Sequence, residues 1–111
     1  MVDLYSTATE YLANQITITR GTASDIVSVG VYHTEDPLYV PTEADFIPAA
    51  LVLPGDPLAQ GDFIDVISLI GPASPPDATH IELTPGTYQR WVLVTTVVEV
   101  IIRKVDVVEV T

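Results

Sequence analysis

Leu83-Thr84-Pro85-Gly86-Thr87-Tyr88-Gln89-Arg90-Trp91-Val92-Leu93-Val94 is the stretch on which the fold turns. Pro85-Gly86 makes a tight corner, because proline fixes one backbone angle and glycine accepts conformations other residues avoid. From Tyr88 onward the residues alternate, which is the period of a β-strand. If Tyr88 points inward, so do Arg90, Val92 and Val94, and the opposite face carries Trp91 and Leu93. A tyrosine just after such a corner can fill the end of a core while its hydroxyl returns to backbone a few residues upstream. That role, with Gly86 forming the corner, marks Gly86 and Tyr88 as fold-defining. An unpaired buried guanidinium is costly. Arg90 is therefore expected at the rim, paired with an acid such as Glu99 or Glu82, or in contact with another subunit.

The segments on either side repeat the strand pattern. Residues 97–110 must fold back as the last strand. Val98, Val100 and Ile102 share one phase and Val105 and Val107 the other, so a bulge or bend is expected near Arg103-Lys104. Upstream, residues 15–20, 26–33, 50–53, 62–70 and 80–83 read as strands. The run 62–70 is apolar on both faces, which predicts a central strand. Pro54-Gly55-Asp56-Pro57 and the proline-rich run 71–77 read as turns and loops. No alternation of strands with helices points to a parallel α/β fold. Residues 1–13 differ. Leu4, Ala8, Tyr11 and Leu12 fall at helical spacing, so this segment is expected to be a short helix or an extended arm, with 14–111 forming the domain.

The 111 residues include no cysteine, so neither a disulfide nor a thiolate metal site is possible. Fifteen acidic residues against four basic ones give a net charge of −11. That field repels phosphate backbones and anionic membranes, so no nucleic-acid or membrane partner is expected. Met1-Val2-Asp3-Leu4 lacks the basic and apolar regions of a secretory signal, and no apolar run approaches the length of a membrane helix. Ser24, Ser28, Ser68, His33 and Asp25 can be combined on paper into a triad, but no nucleophile-elbow motif supports one, and no enzyme activity is expected. His33 and His80 are too few for zinc. Glu35, Asp36, Glu43, Asp45, Asp62 and Asp65 could gather around calcium, yet they lack EF-hand spacing and read as solvated loop charges. No metal or cofactor is expected.

About seven strands separated by regular turn signals predict an all-β antiparallel sandwich. The Leu-x-Pro-Gly-Thr-Tyr run is how the strand before last often begins in immunoglobulin-like domains. The longer run Gly86-Thr87-Tyr88-Gln89-Arg90-Trp91-Val92-Leu93-Val94-Thr95, with Glu99 and the valine-rich last strand, resembles small immunoglobulin-like virion proteins of tailed bacteriophages. The resemblance covers residues 83–110. It implies a non-enzymatic structural protein made in the bacterial host cytoplasm and present in many copies in the virion. The implied position is the head-to-tail connector or, as an alternative, the capsid surface as a decoration protein. Implied partners are other virion subunits and further copies of this chain. The candidate interface comprises Trp91, Leu93, Arg90, Leu4, Tyr5 and Tyr11, with Trp91 and Leu93 covered either by the N-terminal arm or by another protein. A carbohydrate- or cell-surface-binding module is the other reading, with Tyr32, Tyr39 and Trp91 as its aromatic platform.

Overall fold

The computed structural model describes residues 2–7, 10–16, 26–53, 64–70 and 81–111. Among the described residues eight strands form in chain order: β1 (Val2–Leu4), β2 (Glu10–Ile16), β3 (Ile26–Thr34), β4 (Ile47–Pro48), β5 (Ala50–Val52), β6 (Ile64–Ile70), β7 (Gly86–Thr96) and β8 (Val100–Val110). A 3-10 turn at Glu43–Asp45 lies between β3 and β4. The strands divide into a five-stranded sheet, β1-β8-β7-β3-β4, and a three-stranded sheet, β2-β6-β5. This is the immunoglobulin-like sandwich expected from the alternation and the corner at Gly86. All pairings are antiparallel except that of β1, which runs parallel to the end of β8 through Val2↔Val108 and Leu4↔Val110.

The N-terminal segment departs from expectation. It forms neither a helix nor a detached arm but one strand in each sheet, and Leu4 and Leu12 both reach the core. Their helical spacing is fortuitous, because the two leucines converge from opposite sheets. Ser6 N–H donates to Thr111 O at 2.8 Å and Thr111 N–H to Leu4 O at 2.9 Å, tying the beginning of the chain to its end.

β6 is central in its sheet, between β2 and β5, as its two apolar faces imply. β3, β5, β7 and β8 fall where the period-two patterning puts them. β2 spans 10–16, and residues 17–20 of the strand read from sequence lie outside the described residues. Of the short strand read at 80–83, only a bridge between Ile81 and Ile70 forms, and His80 lies outside the described residues. The bulge read near Arg103-Lys104 is present. Arg90 pairs with Asp106 and Trp91 with Lys104, which leaves Val105 as the extra residue on β8. The β7–β8 hairpin turns at Val97-Val98, where Thr96 Oγ1 accepts from the backbone N–H of Val98 and Glu99. This hydroxyl does the work that an aspartate or serine does in many such turns.

Tyr88 closes the corner as expected. Its hydroxyl donates to Thr84 O at 2.8 Å while the ring lies in the core. Gly30 matters for a different reason. A Cβ there would sit 2.9 Å from Ile47 O and 3.2 Å from Phe46 Cβ, so only glycine lets β4 lie this close to β3. Gly30→Ala is expected to lower stability by about 1–3 kcal/mol as β4 is pushed away. Urea denaturation would measure this, and an unchanged midpoint would contradict it.

Candidate functional site

Two features stand out: a polar layer inside the sandwich and a charge-poor face outside it.

The core comprises two apolar clusters. One gathers Leu4, Leu12, Ile70, Tyr88, Val108 and Val110; the other gathers Val29, Val31, Val66, Val92 and Val94. Arg90 lies between them on β7 and is fully buried, at 0 % exposure. Alternation correctly turned it inward, but the rim position and the pairing with Glu99 or Glu82 are overturned. Its guanidinium instead crosses to the other sheet. Nε donates to Asn14 Oδ1, Nη2 to Leu12 O at 3.1 Å and Nη1 to Ser68 Oγ at 2.8 Å. Nη1 also lies 3.0 Å from His33 Nε2 on the neighbouring strand. Asp106, its partner in the β7–β8 ladder, supplies negative charge.

Each of these groups follows from strand phase. On β2, Asn14 sits between inward Leu12 and Ile16; on β6, Ser68 sits between Val66 and Ile70. In immunoglobulin domains, the cysteine that bridges the two sheets follows the corner tyrosine by two residues. Here that position is Arg90. A hydrogen-bonded clamp to β2 and β6 occupies the place of the disulfide in a chain that has no cysteine.

Burial lowers the Arg90 pKa to about 10, opposed by Asp106, and leaves the guanidinium protonated at neutral pH. Burial, with the Arg90 charge adding to it, pushes His33 down to about 3. A neutral His33 can then accept from Arg90 through Nε2. Such a weakly basic imidazole is a poor general base near neutrality. Ser68 and His33, two members of the paper triad, are thus both engaged by one arginine nitrogen. Ser28 lies on the outer surface of β3, and Ser24 and Asp25 lie outside the described residues.

The middle of the outer face of the five-stranded sheet is made by Ser28, Gly30, Tyr32 and Thr34 of β3, Gln89, Trp91, Leu93 and Thr95 of β7, and Val100, Ile102, Lys104 and Val107 of β8; at its β1 end the face continues through Thr87 and Glu109. Lys104 is the only charge among the twelve middle positions. Tyr32 continues the face toward the loop before β4, its ring 6.1 Å from those of Tyr39 and Phe46. Trp91 and Leu93 are both partly exposed here, and the indole N–H of Trp91 has no acceptor among the described residues.

The structure divides the other candidate interface residues. Leu4 and Arg90 are interior and leave the surface. Tyr11 is 64 % exposed but lies on the outer side of the three-stranded sheet, away from Trp91. Tyr5 is 69 % exposed just after β1. No described part of the N-terminal segment covers Trp91. Sequence reasoning missed Asn14, His33, Ser68 and Asp106 as partners of Arg90. The one available signal was that an inward arginine needs acceptors from inward polar residues on neighbouring strands.

Among the described residues, no three His, Asp or Glu side chains gather as a metal site. Asp45 instead accepts from Tyr39 Oη at 2.6 Å and from Thr42 N–H at 2.9 Å. No helix of the described residues is long and apolar enough to cross a membrane. The chain matches no protein-family model, no curated protein and no solved structure at a significant level.

Proposed function

We propose that this chain is a non-enzymatic structural subunit of a tailed-phage virion, made in the bacterial cytoplasm and assembled in many copies at the head-to-tail connector or on the capsid surface. The observation that supports it is the outer face of the five-stranded sheet. A chain with fifteen acidic residues keeps every carboxylate off the twelve middle positions of this face, Glu109 standing at its end, and places Trp91, Leu93, Ile102 and Tyr32 there. Loss of charge and enrichment in aromatic residues are the compositional marks of a protein-contact core. Burying such a face against a neighbouring subunit releases water from apolar area at ~25 cal/mol per Å². The buried Arg90 clamp holds the sheet that presents the face without needing an oxidising compartment. The likeness of residues 83–110 to small virion proteins supplies the particle.

A second reading, a carbohydrate-binding module, draws on Tyr32 and Trp91 lying side by side. The apolar Leu93, Ile102 and Val107 around them offer a sugar few hydrogen bonds, which favours a protein partner. Mass spectrometry of density-purified phage particles tests the first reading: the chain is expected there in multiple copies. Particles without it, or a glycan-dependent change in tryptophan fluorescence of a monomer, would favour the second.

A further inference from the structure

We infer that the partner for the outer face of the five-stranded sheet is a second copy of this chain, seated about a two-fold axis that runs along the strands between β7 and β3. The inference rests on the reading of this face as a protein contact. What selects a second copy is the arrangement of charge across one level of the sheet. Lys104 on β8 stands opposite Trp91 on β7, which stands opposite Tyr32 on β3. Beyond Tyr32 come the rings of Phe46 and Tyr39, and Tyr39 Oη donates to Asp45. The row thus begins with an ammonium, crosses four aromatic rings and ends with a carboxylate.

That carboxylate is fixed and ionised. It accepts from the Tyr39 hydroxyl and the Thr42 amide, and these two bonds hold Asp45 below the usual aspartate range. A two-fold axis along the strands reverses left and right while keeping the level. It lays the β8 edge of one copy over the β4 edge of the other, so that Lys104 of each faces Asp45 of its partner. The contact is made twice, as an isologous interface requires. Between the two charged contacts, Trp91 of each copy meets Tyr32 of the other, Leu93 meets the Gly30 position and Ile102 meets Pro48, with no carboxylate opposed. Elsewhere, two chains each carrying −11 repel. This face is where they can approach.

Sedimentation of the full chain, with charge-swapped variants, tests this. At about 100 µM, a contact of micromolar strength gives a particle of twice the 12.0 kDa chain mass. Lys104→Glu and Asp45→Lys are each expected to weaken the dimer at least ~10-fold, because each sets like charges together twice. An equimolar mixture of the two is expected to dimerise again, since the mixed pair restores both attractions. Asp45→Lys also removes the Thr42 bond, so Leu93→Arg provides an independent check: two arginines near the axis should leave a folded monomer. A wild-type chain that stays monomeric, a dimer indifferent to Lys104→Glu and Leu93→Arg, or two folded charge variants that remain monomeric when mixed would overturn the inference. A monomer found in multiple copies in phage particles would overturn only the dimer. A dimer absent from those particles would overturn only the virion reading.

Discussion

Arg90→Ala is expected to destabilise the domain by about 3–5 kcal/mol, the usual effect of breaking a buried charged network by removing one partner. Set against the 5–15 kcal/mol typical of whole domains, that loss is a large fraction of the total. The reason is specific. Without the guanidinium, Asn14 Oδ1, Ser68 Oγ and Leu12 O lose a donor in the interior, and Asp106 loses the cation opposite it. Arg90→Met, which refills most of the volume, should recover only part of the loss. Replacing Arg90, Asn14, Ser68, His33 and Asp106 together by apolar residues of matching size should recover more, because no polar side chain is then stranded. Urea midpoints at constant slope measure all three. A single Arg90→Met variant as stable as the parent would show that the clamp contributes nothing.

Stability should also fall with acid between pH 6.5 and 4, with His33 as the cause. His33 has a pKa of about 3 in the folded chain against an ordinary value of 6.5. Below pH 6.5 the unfolded chain takes up a proton that the native state refuses, so the native state loses ground as pH falls from 6.5 toward 3 and gains nothing further above 6.5. The groups that face this imidazole are Arg90 on β7, which disfavours its protonation, and Asp106 on β8, which lies in the same layer. A shift of this size corresponds to on the order of 4 kcal/mol at pH 3. His33→Asn removes the titrating group. Its unfolding free energy should be markedly flatter between pH 6.5 and 4 than that of the parent. Parallel curves for the two proteins would remove His33 as the cause.

The parts of this fold that could be read from sequence are those whose signal is local. The alternation of Val92, Leu93 and Val94 places β7, and the phase change between Ile102 and Val105 marks the bulge on β8. Pro85-Gly86-Thr87-Tyr88 gives the corner, with its hydroxyl bond only four residues back. The first strands were hidden by their own polar residue. Asn14 interrupts the inward sequence of Leu12 and Ile16, so the alternation became visible only at Ile16, and Leu4 and Leu12 were left looking helical. Arg90 was turned to the correct side and then misplaced at the rim. Its partners Asn14, His33 and Ser68 lie 76, 57 and 22 residues away on three other strands. Nothing in the local sequence joins them before the sheets stack. The outer face was half visible: Trp91 and Leu93 announced it, whereas Lys104 and Asp45 at its two margins became related only through strand order.

A sandwich joined by hydrogen bonds where its architectural kin are joined by sulfur has no covalent memory. It can open and close without oxidant or scrambled disulfide pairings, and reducing agents cannot loosen it. The closed form therefore does not depend on the redox state of its surroundings.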